Sequence, residues 1–403
     1  MKMKTDRYQK GFSLVEILVG LVIGLVAMLA IFQTLALFEA QRRTTGAGAD
    51  MQQSGLSALY NLEQDIRLGG FGLVKPGIVF NKTRLQGSIP CQKIDAFGNS
   101  STFQSIPVQI QDGGGGLSDT LVTARLDTAL GGVTTGQMHG YLVDAPGAAA
   151  GTTTYSGSSS SITVDTGKAL KANDYILVSQ PPSDCTLMQV ASTYNYAALA
   201  APADPTTVSV GSASNPAGNT SAAPTAATYT PGAEIIDIGQ SNPFVISTFA
   251  VSSGNLVETD NNASSSTPLA ANIVNIQAQY GVAPSGSQSI NCWTDATGTN
   301  CNPASSTGWA SPSPADYQRI KAIRIAVVAR SPLKEKATGT SATGAAACNI
   351  TTTAPATWPS AGLPTGSSSP PSVDLTADAN WQCYRYKVYW TVVPIRNVIW
   401  GNL

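Results

Sequence analysis

Lys10-Gly11-Phe12-Ser13-Leu14-Val15-Glu16 opens an apolar run that continues to about Phe38, and from Gly11 to Phe38 Glu16 is the only ionisable side chain. Between Ile17 and Phe38 only Gln33 and Thr34 are clearly polar. As a helix rising about 1.5 Å per residue, a segment of this length crosses roughly 30 Å of hydrocarbon. A single carboxylate near the start of such a helix is costly to bury, and that cost implies a partner. An ammonium entering the same apolar surroundings would serve, because the two charges are tolerable there only together.

Lys2, Lys4, Arg7 and Lys10 precede the run, whereas only Arg42 and Arg43 follow it closely. This bias favours a cytoplasmic N-terminus, with everything beyond about residue 40 exported. A secretory signal would have a shorter apolar region and a small-x-small cleavage site on its far side. Here the run is too long, and it ends in Phe38-Glu39-Ala40-Gln41-Arg42-Arg43. By hydropathy alone it reads equally as a plain signal anchor.

The Gly11-Phe12-Ser13-Leu14-Val15-Glu16 stretch resembles the processing site of type IV prepilins and type II secretion pseudopilins. The resemblance implies that a membrane aspartyl protease, the prepilin peptidase and methyltransferase, cuts between Gly11 and Phe12 and that Phe12 is N-methylated. It further implies that Glu16 pairs with the N-terminal ammonium of a neighbouring subunit and so sets register as well as affinity. Residues 1–11 are then a leader that is removed, 12–38 a transmembrane and filament-core helix, and 39–70 the outer half of that helix. Residues 71–403 form an exported β-rich domain.

The 403 residues have room for an anchor helix and one large or two modest exported domains. Charged residues make up 12% and the net charge is −1. Residues 1–11 hold four of the 23 basic and one of the 24 acidic side chains, so their removal leaves a net charge of −4. No broad basic footprint for nucleic acid remains. The six cysteines, Cys91, Cys185, Cys292, Cys301, Cys348 and Cys383, all lie beyond the membrane segment, as suits an oxidising compartment such as the periplasm. Sequence alone does not choose among their pairings. The expected set is Cys292 with Cys301, closing a short loop, Cys348 with Cys383, stapling a Pro/Ser-rich excursion, and Cys91 with Cys185 as the remainder.

Catalytic and metal chemistries find little support. His139 is the only histidine, so a Ser-His-Asp or Cys-His site would rest entirely on it. There is no Cys-x-x-Cys pair for zinc. Gly113-Gly114-Gly115-Gly116 leads into Leu117-Ser118-Asp119 without the Lys-Ser/Thr of a phosphate-binding loop, and it reads as a hairpin or flexible loop. Glu258-Thr259-Asp260-Asn261-Asn262 and Asp295 to Asn300 offer oxygen ligands for calcium, but neither follows an EF-hand pattern and turn chemistry explains both. The expectation is a protein that is not an enzyme, with no cofactor and no metal.

Past the membrane segment, residues 41–68 contain no proline, and Leu56, Leu59, Leu62 and Ile66 recur at helical spacing before Gly69-Gly70 supplies a stop. Gly46 and Gly48 mark a weak point where a bend is expected. From residue 71 the chain reads as strands, the best being 117–126, 175–179, 186–191, 234–238, 244–251, 273–280, 320–329 and 384–393. In 320–329, Ile323, Ile325 and Val327 alternate with Arg324, Ala326 and Val328. In 384–393, Tyr384, Tyr386, Val388, Trp390 and Val392 alternate with Arg385, Lys387, Tyr389, Thr391 and Val393. That period of two predicts half-buried antiparallel strands. Residues 146–161, 197–231 and 334–372 lack large apolar side chains and read as long Ser/Thr/Pro/Ala-rich loop insertions.

Leu59 to Gly72, the Asp184-Cys185-Thr186 turn, Arg319 to Ser331, Tyr384-Arg385-Tyr386 and Arg396-Asn397 resemble the PilW family of type IV pilus minor pilins, which is similar to the J-type minor pseudopilin of type II secretion. The resemblance implies an α+β, pilin-like fold: one long N-terminal helix packed on an antiparallel sheet domain with large loop insertions. It implies a minor pilin that primes or supports pilus assembly within a tip complex. Its partners would be other minor pilins, the major pilin, the inner-membrane assembly platform and, in several systems, a large tip adhesin. The bilayer holds it before assembly. Because Glu16 is present, the chain would sit below another subunit. A type II secretion pseudopilin is the nearest alternative reading, and a membrane-anchored periplasmic binding protein is a more distant one.

Overall fold

A computed structural model describes residues 13–71, 107–126, 139–156, 159–180, 186–199, 204–212, 228–239, 244–260, 265–304, 308–310, 312, 314–335, 337, 339–340 and 346–400. It also describes two short strand pairs, Val79–Phe80 with Thr83–Arg84 and Lys93–Ile94 with Phe103–Gln104. The fold is α+β, a long N-terminal helix followed by a mostly antiparallel β-sheet head. Helix α1 spans Leu14–Leu68, 55 residues, and is about 80 Å long at the α-helical rise. It is helical throughout, without a break at Gly46 or Gly48. A Cβ at either glycine would meet nothing within 4 Å, whereas Ala47 between them is buried.

The strands in chain order are β1 Val108–Gln111, β2 Thr120–Leu126, β3 His139–Tyr141, β4 Ser161–Val164, β5 Tyr175–Ser179, β6 Thr186–Val190, β7 Thr206–Ser212, β8 Glu234–Gly239, β9 Phe244–Ser252, β10 Asn255–Asp260, β11 Ser265–Ala271, β12 Ile273–Val282, β13 Cys292–Thr294, β14 Ile320–Arg330 and β15 Tyr386–Pro394. A short helix α2, Arg396–Trp400, follows. They form a five-stranded sheet in the order β11-β10-β9-β2-β1, a four-stranded sheet β13-β12-β14-β15, and a six-stranded sheet β3-β8-β5-β6-β7-β4. All eight strands expected from the sequence are present, shifted by a few residues at their ends.

The first two sheets and the outer half of α1 share one core. Met51, Ala58, Leu62 and Ile66 of the helix pack with Ile323, Ile325, Val327 and Val393 of the four-stranded sheet and with Val108, Leu121 and Phe249 of the five-stranded one. The buried helical stripe therefore runs through residues 51, 55, 58, 62 and 66. Leu59 is only half-buried and Leu56 is 56% exposed, which corrects the stripe read from leucines alone. The missing member is Gly55, whose lack of a side chain lets the Tyr389 ring of β15 lie against the helix. A Cβ there would overlap that ring and stand 3.2 Å from the Ala329 Cβ.

β14 also departs from the half-buried expectation, being buried along both faces. One face meets α1, and the other is covered by residues 356–375, so the alternation of Ile with Arg, Ala and Val marks two different interiors rather than core and solvent. On β15 the helix-facing set is Tyr389 and Val393, while Trp390 and Val392 remain 47% and 40% exposed.

The six-stranded sheet has a separate core, built from Leu142, Tyr155, Ile162, Val164, Ile176, Val178, Met188, Val190, Val208, Tyr229 and Ile235 with no member from α1. Its two outermost strands meet, since Val143 N–H donates to Thr163 O at 2.9 Å and Asp165 N–H to Tyr141 O at 2.9 Å around a Leu142–Val164 bridge. The sheet thus closes into a small barrel, which removes its open edges. Two of the stretches read as loop insertions contribute to it. β7 and Thr228–Tyr229 fall within 197–231, and Tyr155–Ser156 and the start of β4 fall within 146–161. Small Thr, Ser, Val and Gly residues suffice there because alternate positions, such as Val208 and Val210, fill a narrow interior.

Replacing Gly55 with alanine sets a helix-propensity gain of about 1 kcal/mol against an overlap costing roughly 1–3 kcal/mol. The expected result is a lower thermal midpoint for the detergent-solubilised chain, recovered when Tyr389→Leu is added. A higher midpoint in the single variant would mean that helix and sheet are not held this closely.

Candidate assembly site

At the membrane end, Ser13 precedes α1 in extended conformation and Glu16 N–H donates to Ser13 O at 3.0 Å. Glu16 lies in the first turn, where a carboxylate complements the positive end of the helix dipole. Each large apolar side chain from Leu14 to Phe38 is at least 52% exposed, so this half of the helix presents a bare apolar cylinder around one acid. Such a surface requires cover from lipid or from other apolar helices. It is long and apolar enough to cross a membrane. Gly11 and Phe12 lie outside the described residues, as do Cys91 and Cys185.

At the far end, side chains from distant parts of the chain lock α1 to the head. Asn397 Nδ2 donates to Leu68 O at 3.4 Å and to Gly69 O at 2.9 Å, satisfying carbonyls at the helix C-terminus. Gly70 N–H donates to Ala124 O at 2.8 Å, and Arg125 on β2 approaches Asp65 at 3.7 Å. Arg330, at the end of β14, pairs with Asp378 at 2.7 Å and stacks over Tyr384. Arg319 donates to Ala283 O, Asn302 O and Cys301 O, pairs with Asp316 at 3.1 Å, and lies over Trp309. Segments 59–71, 319–331 and 384–397, remote in sequence, are thereby one structural unit.

The sheet face away from α1 carries a buried cation that the sequence reading did not single out. Arg324 is 6% exposed and lies between the rings of Trp293 and Trp358, 4.5 and 4.4 Å from their centroids. Burial pulls its guanidinium down to about 10, with Asp295 opposing the shift. Gln279, its cross-strand partner, accepts from Arg324 Nη2 and donates to Asp295 Oδ1 and Ser369 O. An arginine in an otherwise apolar strand, with tryptophans in nearby loops, was the available signal. Cys348 is bonded to Cys383, which ties together the two ends of the covering segment, and Cys292 is bonded to Cys301.

Parts of both oxygen-rich stretches are committed to the fold, while Asn261 and Asn262 lie outside the described residues. Glu258, Thr259 and Asp260 belong to β10 rather than to a loop, and Glu258 accepts from Ser247 Oγ at 2.8 Å. Asp295 holds Gln279, and Asn300 donates to Ser368 Oγ. Among the described residues no group of three or more His, Cys, Asp or Glu is placed to hold a metal ion. The Gly113–Gly116 turn is pinned to the sheets, with Asn275 and Gln277 donating to Gly116 O and Leu117 O.

A bare apolar helix with one acid in its first turn continues without a break into the spine of an antiparallel head, the arrangement expected of a pilin-type subunit. Residues 243–397 match the family model described as type IV pilus-assembly protein W, and residues 6–32 match the prokaryotic N-terminal methylation motif. Together the two matches support a type IV pilus minor pilin of the PilW type. No curated protein and no solved structure matches the chain.

One carboxyl in the head is strongly perturbed. Asp119 is pushed up to about 7, first by burial and then by Asp112 and Asp295, against the pull of the Gly113 and Ala278 N–H groups it accepts from. Its backbone N–H donates to Ile276 O, so it joins the β1–β2 turn to β12. In the barrel Asp237 is pushed up to about 6, again first by burial. Both folded carboxyls keep protons that the unfolded chain releases above 3.8, so their contribution to stability is fully present below that pH and lost as pH rises through 6 to 7. Calorimetry across pH 4 to 8 should find melting temperatures falling with rising pH. Asp119→Asn should flatten the part of that slope near neutrality, and an unchanged slope would show that this carboxyl titrates in its ordinary range.

Proposed function

We propose that this protein is a structural minor pilin that primes or supports type IV pilus assembly in a complex of minor pilins at the filament tip. It does so without catalysis. The observation that carries this reading is Glu16, the single acid of a bare apolar helix at least 20 residues long. In a bilayer or a helical filament core that carboxylate needs an ammonium, and cleavage between Gly11 and Phe12 creates one on each neighbouring subunit. The match to the N-terminal methylation motif supports this processing, and the PilW match favours the pilus over type II secretion.

In this account the chain enters the inner membrane with a cytoplasmic N-terminus and a periplasmic head, and the prepilin peptidase then removes residues 1–11 and methylates Phe12. Glu16 next guides the subunit, from the assembly platform, into register below another minor pilin and above the major pilin. A large adhesin is a further candidate partner at the tip. The oxidising periplasm supplies the disulfides that the head contains.

The intact mass of the N-terminal peptide from cells with and without the peptidase tests the pathway. N-methylated Phe12 is expected at the N-terminus only when the peptidase is present, and a peptide retaining residues 2–11 in both strains would refute it. Glu16→Ala should leave processing intact while reducing co-purifying minor pilins and surface pili several-fold. Normal piliation in that variant would remove Glu16 from the mechanism.

A further inference from the structure

The barrel interrupts a hairpin. β2 and β9 are antiparallel neighbours whose ladder ends at the Leu126–Phe244 pair, and the whole six-stranded barrel lies between those two residues. Cross-strand partners in such a ladder are about 5 Å apart, a gap that a two-residue turn closes. The barrel's core is its own, its strand order is closed, and it spans roughly 100 residues, an ordinary domain size. The PilW match begins at residue 243, where the hairpin resumes, so the barrel lies outside it, as do β1, β2 and the outer half of α1. Its charge also differs: residues 139–239 carry seven carboxylates against two lysines and no arginine.

The point of emergence is equally defined. Ala124, two residues before the ladder ends, accepts from Gly70 at the C-terminus of α1, and Arg125 faces Asp65. The Leu126–Phe244 pair between which the barrel is inserted therefore lies roughly 45 Å beyond Phe38 along the helix, at the end farthest from the membrane segment.

We propose that residues 139–239 are a domain with its own core spliced into the β2–β9 turn, displayed at the membrane-distal end of the subunit and dispensable for folding and assembly of the rest. The helix, the two head sheets and Glu16 form the scaffold, and the acidic barrel is the part presented outward. Acting at the outward end, it governs what the subunit meets rather than whether it assembles.

Two measurements test this. Calorimetry of the detergent-solubilised full chain should show two transitions, of which Gly55→Ala shifts the scaffold's alone. A single transition that moves as a whole would overturn the domain's independence. In cells, residues 127–243 are replaced by Asn-Gly, with Cys91→Ser to avoid leaving a thiol without Cys185. The shortened chain is expected to accumulate, to lose only the second transition, and to support pilus numbers within about twofold of the full chain. Accumulation with loss of pili would overturn dispensability, and failure to accumulate would overturn the scaffold's autonomy. An epitope placed in the exposed turn at Gly147 should label intact filaments at the end away from the cell, and an inaccessible epitope would overturn display. The pilus readouts rest on the assembly role proposed above while calorimetry does not, so failure of one reading is distinguishable from failure of the other.

Discussion

The head is tied to the membrane half of the molecule through one surface, the stripe of Met51, Gly55, Ala58, Leu62 and Ile66 lying on β14 and β15. α1 is one continuous helix with two kinds of surface. Its first half is apolar all round and its second half only along this stripe, so the sheet can attach only where the stripe exists. Gly55 sets the depth of the contact by admitting the Tyr389 ring, and Asn397 closes the helix end. Any rotation of the helix by one residue would bring Leu56 and Tyr60 inward and break both. The orientation of Glu16 relative to the head follows, because an unbroken helix transmits it.

The face of β14 opposite the helix is organised by a different interaction. Arg324 between Trp293 and Trp358, with Gln279 and Asp295 beside it, makes that face polar at its centre and aromatic around it. Burying an arginine there is tolerable because both ring faces and a hydrogen-bonded amide surround it. The consequence is that a Ser/Pro-rich segment with few large apolar residues can still be an ordered cover. Trp358, Val373 and Leu375 are its anchors, and the Cys348–Cys383 bond shortens the loop whose entropy must be lost.

These two faces explain which parts of the fold were legible in the sequence. Period-two patterns and turn residues are local, and they located β2, β9, β12, β14 and β15 of the head within a few residues, though not β10 and β11. The helix stripe was misplaced because its central member is a glycine, which carries no hydrophobic signal although it marks the closest approach. β14 was read as half-buried since Arg324 looks like a solvent residue until its two tryptophans, 31 positions before it and 34 after, are brought alongside. The barrel was hidden for a further reason. Three of its strands, β5, β6 and β8, were expected, but β3 and β4 are short and β7 is built from Thr, Ser, Val and Gly, and what identifies the barrel as a unit is the pairing of Leu126 with Phe244, a contact that no window of sequence contains. Glu16, by contrast, stands out in the sequence, because isolation in an apolar run is itself a local property.

Insertion at this turn is physically cheap for the scaffold. Both strands that bear the graft are already held, β2 by β1 and by Gly70, β9 by β10, so the hairpin does not depend on its own turn for register. A closed barrel adds no unpaired edge to the head and draws no residue from the scaffold's core. The chain entering and leaving it starts from a cross-strand pair, so the loop it closes is short for the scaffold however long the insert becomes. A subunit that must keep its helix and sheet faces fixed for assembly can therefore change its outward domain independently, and the distal end of the β2–β9 hairpin is where that freedom costs the framework least.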